Sequence, residues 1–372
     1  MPTNVDTSSW QLPINLGLND GTYCSQAAID VLQEHSSRTS LRNYSNAENS
    51  ELRALIAAEC GCTPEMVYLH NGSGPILKQV LPHLIRSAIK SKPMRILKHL
   101  VHKEGYPIIT PVLTYGKVPL KAIASGLTVR LVPLSHEADY ALDLGALEAA
   151  IQQGDGLVYI ANPNNPTGNV LVTREQIEPL IARYTGSTFW LDEAYVQYLS
   201  PHEHDYLVDL VAKYPNVVCT RTMSFAYGLA AVRIGYIIAS EGLVAELEGQ
   251  VTDYRIPLLA ERMGVAALKD GQHLPDVRQR TAEARALLCE RIGAQSGLQT
   301  YPSVANFVLV RTTAGRHAKA IAAGMLERGV KVKTFAPLLE HDFGDIFRIT
   351  VGTPEENVFC MDMLDEVMTT LD

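Results

Sequence analysis

At 372 residues, 47% apolar and 19% charged, the chain has the composition of a globular protein and the length for one large and one smaller domain. Its formal net charge of −8 excludes a general affinity for nucleic acid or for an anionic membrane surface. No apolar run reaches membrane-spanning length and the first residues lack a secretory pattern. Among six cysteines only Cys60 and Cys62 lie close together, without the second pair a zinc site needs, so the expectation is a cytoplasmic protein with free thiols and no metal.

Residues 1–44 read as an arm. A short apolar segment from Ile14 runs into turn residues around Asn19, Asp20 and Tyr23, and Tyr44 follows in a stretch that reads equally as surface loop. Ser50 precedes a helical pattern with Leu52, Leu55 and Ile56 on one face. A strand from Val67 then meets Asn71-Gly72-Ser73-Gly74, a turn that opens a helix and offers backbone N–H groups to an anion; alone, such turns are common. Residues 86–104 are basic, with Arg86, Lys90, Lys92, Arg95, Lys98 and Lys103 beside His99 and His102. They read as a solvated helical insertion, and two histidines without a carboxylate make a poor metal site.

Strand Ile108–Val112 leads to Tyr115, a ring that could stack on a flat ligand or fill the core. A strand over Gly126–Pro133 and a helix marked by Leu144, Leu147 and Ile151 follow. The buried-type strand from Leu157 ends in the polar turn Asn162–Gly168, and Thr173 with Gln176 forms a capping box. The run from Thr188 ends on Asp192, a carboxylate that such an apolar strand tolerates only with a partner. His202 and His204 read as solvated. The strand at Val217–Cys219 turns through Thr222, Ser224 and Gly228 before a second apolar segment at Ile234–Ile238. Its hydroxyls and Arg233 make either an anion cradle or an ordinary loop with a surface arginine.

Alternating strands and helices over 45–260 argue for an α/β large domain with a mostly parallel sheet. Over 261–372 the texture changes to a long helix at about 275–293, a strand at Ala305–Val310, a helix, strands at Val330–Lys333 and Phe347–Val351, and a closing helix from Thr353. This argues for a smaller α/β domain.

Five segments carry a resemblance. Thr222–Tyr236 is similar to T-x-S-K-[AF]-[FY]-G-L-A-G-[LV]-R-[IVL]-G-Y, and Asn162–Gly168 to N-P-[NH]-N-P-T-G. Asn71–Gly74 is similar to N-G-S-[DN], Asp192–Tyr195 to D-E-[AV]-Y, and Phe347–Gly352 to L-R-I-[TS]-[VI]-G. In their order along the chain they resemble the class I/II aminotransferases, fold type I enzymes that depend on pyridoxal phosphate, and in particular the histidinol-phosphate aminotransferase branch. The resemblance implies that Ser73, Gly74, Ser224 and Arg233 hold the cofactor phosphate, joined by Tyr44 across a homodimer interface. It implies that Tyr115 stacks on the ring, Asn165 and Tyr195 meet its 3′ oxygen, and Asp192 bonds its nitrogen. Arg348 would pair with the substrate carboxylate or phosphate, with Asn19 and Tyr23 on the substrate side. Thr22, Cys24, Gly74 and Pro75 depart from the family pattern.

The largest departure is Phe225, which stands where the family carries its Schiff-base lysine. Phenylalanine has no nucleophile and no titratable group. The expectation is therefore non-covalent binding of pyridoxal 5′-phosphate or pyridoxamine 5′-phosphate. The protein would act on an amino acid through an external aldimine, in a specialised biosynthetic reaction rather than ordinary transamination. A lysine, histidine or tyrosine elsewhere would have to supply proton transfer; Lys117 and Lys333, the latter where the branch has an arginine, are candidates, and the sequence assigns the catalytic role to no residue. A catalytically silent homologue that binds cofactor or a partner is the second reading, and a lysine variant of an ordinary aminotransferase would read identically.

Overall fold

The computed structural model describes residue 5 and residues 7–34, 42, 44, 49–92, 95, 96, 100, 105–201, 206–249, 256–313 and 317–371. In chain order its strands are β1 (Ile14–Asn15), β2 (Val67–His70), β3 (Ile108–Val112), β4 (Val129–Pro133), β5 (Leu157–Ala161), β6 (Thr188–Asp192), β7 (Val217–Thr222) and β8 (Gly235–Ile238). These are followed by β9 (Leu298–Thr300), β10 (Phe307–Thr312), β11 (Val330–Lys331), β12 (Lys333–Thr334) and β13 (Ile346–Thr350).

The central sheet has the order β2-β8-β7-β6-β5-β3-β4. All its pairings are parallel except the two made by β8, which runs against β2 and β7. Strands β3, β5 and β7 are buried at every position, as they must be when helices cover both faces. The two faces follow from the period of two. Val158, Ile160, Phe189, Leu191 and Cys219 enter one core, and Leu157, Tyr159, Ala161, Trp190 and Val218 the other. A second, antiparallel sheet of order β12-β13-β10-β9 packs its apolar face against helices Ala318–Glu327 and Pro354–Leu371.

Several sequence expectations shift by up to three residues. The helix begins on Ser50 itself, with Asn49 as its cap. The strand expected from Gly126 starts at Val129, and the strand expected from Ala305 starts at Phe307. The segment read as one strand at Val330–Lys333 is divided. Val330–Lys331 runs parallel to β1, and Lys333–Thr334 pairs antiparallel with β13. Val330 and Val332 both point into the same core, so alternation holds while the pairing partner changes.

Arg95 corrects the reading of its stretch as wholly solvated. It is buried, donates to Asp155 at 2.5 Å and to the Gly186 carbonyl at 2.9 Å, and lies over the Tyr106 ring. Lys98, His99, His102, Lys103, His202 and His204 lie outside the described residues. Among the described residues no helix is long and apolar enough to cross a membrane.

The N-terminal segment is stitched to the second sheet. Ile14 and Leu16 donate to the carbonyls of Gly329 and Lys331, and Thr350 donates to Leu16. Asn19 exchanges bonds with the Thr350 hydroxyl at 3.1 Å.

Candidate active site

Loops leaving the carboxyl ends of β5, β6 and β7 converge on one slot, the usual ligand position for a parallel sheet. The slot is about 50 Å³ and is lined by Ser73, Tyr115, Ala161, Asn165, Asp192, Ala194, Tyr195 and Phe225. Tyr115, Asn165, Tyr195 and Phe225 also line a cavity of about 430 Å³ that extends to Lys117, Lys333 and Arg348.

Asp192 ends β6 and is buried. It accepts the Tyr159 hydroxyl at 2.6 Å on Oδ2 and the Ala194 N–H at 3.2 Å on Oδ1. Burial pushes its carboxyl up to about 6 despite both donors. Among the described residues no cation pairs with it, so the slot presents a carboxylate suited to a protonated ring nitrogen.

Arg348 is the complementary anomaly. It is 5% exposed and lies over the Phe307 ring at 5.1 Å. It donates to Asn165 Oδ1 at 2.5 Å and to the Gly17 carbonyl at 2.8 Å, and its Nε has no partner. Burial lowers it to about 10. No carboxylate pairs with it among the described residues. Lys333 stands directly opposite on the neighbouring strand, which puts both side chains on one face of the sheet. Burial first, then the Arg348 charge, lower its ammonium. Two cations held side by side without an acid form a receptor for an anion.

Around the slot, Tyr195 Oη receives the Asn19 amide at 2.9 Å and the Asn165 amide at 3.2 Å. Phe225 stacks face to face on Tyr195, with centroids 4.5 Å apart and planes 11° apart, and Phe307 meets Tyr195 edge-on. The Phe225 ring therefore borders both cavities as an apolar wall.

Ser73 and Gly74 are the first two residues of helix Ser73–Lys90, whose leading N–H groups have no acceptor within the helix. Gly72 sits at φ +91°, a backbone conformation that strains any residue with a Cβ, and its open face lies against the Arg233 guanidinium. Gly235 lies against the Gly72–Ser73 backbone, which a Cβ there would strike, and so brings β8 and its preceding arginine onto the turn. Arg233 is exposed, takes a left-handed φ of 63°, and donates to its own Ala230 carbonyl at 2.9 Å. Ser224 is buried and accepts the Thr222 hydroxyl at 3.0 Å.

Two expected residues stand apart. Tyr44 is 80% exposed in the single chain. Tyr23 lines neither cavity; it packs beside Tyr195 and Phe225 beneath Arg280, whose guanidinium is 3.7 Å from the ring centroid. Sequence reading missed Tyr159. The available signal was a tyrosine inside an otherwise aliphatic buried strand, whose hydroxyl must find a partner. It also missed the apolar walls of the larger cavity, which come from separate segments at Leu18, Leu120, Phe335, Leu338 and Phe343.

Residues 13–359 match the family described as aminotransferase class I and II. The chain is 32% identical over 330 residues to histidinol-phosphate aminotransferase 2 of Ralstonia nicotianae, covering 88% of this chain and 82% of that protein. It is 29% identical over 356 residues to the histidinol-phosphate aminotransferase of Bacillus velezensis, covering 95% and 91%. Its fold superposes on the Sinorhizobium meliloti histidinol-phosphate aminotransferase solved with pyridoxal-5′-phosphate, with a TM-score of 0.81, 24% identity, and coverage of 100% of this chain and 95% of that one. The chain thus belongs to the class I and II aminotransferase family, pyridoxal-phosphate-dependent transferases of fold type I.

Proposed function

We propose that this protein holds pyridoxal phosphate, or its amine form, without a covalent link and acts on an amino acid in a reaction other than lysine-driven transamination. The observation that carries the reading is Asp192, a buried carboxylate facing the slot with no cation beside it among the described residues. A ring bearing N–H⁺ fits that position, and the glycine-lined turn at Ser73 with Ser224 and Arg233 suits its phosphate. The side chain of Phe225 offers no group for covalent capture.

When bound, the cofactor supplies an electron sink beside the substrate's α-carbon. The chain supplies the rest. Asp192, steadied by Tyr159, holds the proton on the ring nitrogen. Asn165 and Tyr195 offer an amide donor and a hydroxyl to the ring oxygen, and Tyr115 and Phe225 bound the slot and exclude water. Arg348 and Lys333 take the substrate carboxylate. Of the residues lining the larger cavity, Lys117 and Lys333 carry the amines. Lys117 Nζ is 5.7 Å from the Tyr115 ring centroid, and with Lys333 committed to the carboxylate it is the amine left for proton transfer. A homodimer would bring Tyr44 to a neighbouring site. A silent homologue is the weaker reading, because a buried guanidinium without a partner acid is costly to keep in a protein that grips no anion.

The test is titration of the purified chain with pyridoxal phosphate, followed by absorbance, then borohydride reduction and peptide mass spectrometry. Saturable binding with no adduct in the Phe225 peptide is expected. Absence of binding at micromolar concentrations removes the proposal.

A further inference from the structure

The larger cavity is divided by chemistry. Its polar groups gather at the end shared with the slot, where Asn165, Tyr195 and Asn19 are bonded to one another and Arg348 is bonded to Asn165. Lys333 is paired in register with Arg348, and the Lys117 ammonium is drawn over Tyr115. The remaining wall is apolar. Leu18 comes from the N-terminal segment, Leu120 from helix Lys117–Ala124, and Phe335, Leu338 and Phe343 from the connection between β12 and β13. Three sequence-distant segments thus turn apolar side chains toward one space. Leu18 and Leu120 remain 59% and 54% exposed there, which the sheet cores do not require of them. Among the described residues no Asp or Glu lines the cavity.

We infer that the substrate is an amino acid with a bulky, apolar, unphosphorylated side chain, received by Leu18, Leu120, Phe335, Leu338 and Phe343 while Arg348 and Lys333 hold its carboxylate. The inference rests on the proposed role of Arg348 and adds the side-chain class. A cavity with its polar anchors at one end and apolar walls at the other binds a ligand of the same polarity. A phosphate ester on the side chain would instead enter the apolar half. There the only lining side-chain donor beside Phe335 is the Thr334 hydroxyl, too few for the oxygens of a phosphate dianion, which would lose water without enough replacement donors. Leu120, Leu18 and the β12–β13 connection are therefore the specificity-determining elements, in a family whose named relatives act on a phosphorylated amine.

The test uses probes that carry no amine and so need no cofactor. The purified full chain is titrated by calorimetry with 3-phenylpropionate, 4-methylvalerate, glutarate and 3-phosphonopropionate, with and without pyridoxal phosphate. The first two should bind at least tenfold more tightly than the last two. Leu120→Asp, at an exposed position that leaves the sheet cores intact, should abolish that preference. Tighter binding of glutarate or 3-phosphonopropionate overturns the inference, as does a preference for 3-phenylpropionate that survives Leu120→Asp. A change of oligomeric state in Leu120→Asp with unaltered probe affinity also overturns it, since the wall would then belong to a contact between copies. Failure to bind pyridoxal phosphate strikes the proposed function alone, because the probe preference is read on the cofactor-free chain as well.

Discussion

Tyr159 donates its hydroxyl to Asp192 from the adjacent strand of the central sheet, at 2.6 Å. Burial holds the phenol well above its ordinary range, so it remains a donor at every accessible pH. The other ionisable groups around Asp192 are Glu193, which is bound to Arg221, and the Tyr115 and Tyr195 hydroxyls. Asp192, ionising at about 6 in the ligand-free protein, should therefore govern how pyridoxal phosphate affinity responds to acid. Affinity should be full above about pH 6 and fall below it. Tyr159→Phe removes the donor, moves the transition upward and weakens binding near neutrality by roughly 10- to 100-fold, the worth of a hydrogen bond to a charged group. Fluorescence titration across pH 5–8 reads both effects; an unmoved transition would separate Tyr159 from Asp192.

The same group has a signature in stability. Its folded value of about 6 lies above the ordinary 3.8, so between these pH values the folded ligand-free chain binds more protons than the unfolded chain. The stabilisation from the neutral carboxyl is full below 3.8 and is lost as pH rises through 6. It amounts to about 3 kcal/mol at 1.36 kcal/mol per unit. Asp192→Asn should flatten that part of the urea-denaturation profile.

If the proposed cofactor reading holds, Phe225→Lys should create a borohydride-trappable adduct at its own peptide, because position 225 lines the slot together with Asp192 and Asn165. The wild-type chain should show none there. A variant that binds the cofactor without forming the adduct would mean that position 225 does not face the reactive carbon.

Arg348→Ala should weaken carboxylate probes by about 100-fold and Lys333→Ala by about tenfold, in line with charge-assisted bonds of roughly 1.5–3 kcal/mol. Calorimetry with 3-phenylpropionate measures both. Equal losses would show that the two cations act as one interchangeable field rather than as a bonded anchor and a flanking charge.

Behind the slot, Glu193 receives Arg221 at 2.8 Å and the Leu207 N–H at 2.6 Å, and both side chains are essentially without solvent contact. Arg221→Met leaves that carboxylate buried and unpaired, and should lower unfolding free energy by about 3–5 kcal/mol in urea. Because the pair lies on β7 and the β6 loop, the loss should appear as global destabilisation and not as a change in probe preference.

The central strands were legible because burial on both faces writes itself as uninterrupted apolar runs, as in Leu157–Ala161. The slot was legible because its residues sit in short turns at strand ends, each a contiguous motif. Tyr159 was not, since its partner lies on another strand and only the fold aligns them. Lys333 could be named as a candidate from sequence, but its position opposite Arg348 depends on the register of β12 with β13. The division of Val330–Lys333 between two sheets was hidden for a related reason: alternation fixes which face a residue takes, and not which strand lies beside it. The apolar cup was the least legible, being assembled from three segments that share no local pattern.

The pairing of β1 with β11 also sets an order of assembly. Ile14 leaves the ribosome early, yet its partner Val330 is made near the end of the chain. Ser73, Tyr115, Asn165, Asp192, Tyr195 and Phe225 all precede β8 or lie within the central sheet's loops, so the cofactor slot can form on a nascent chain. Arg348, and the Gly17 carbonyl and Asn19 that support its surroundings, come into place only when the C-terminal sheet is complete and the N-terminal segment closes onto it. The surroundings of Arg348 are thus completed after the slot.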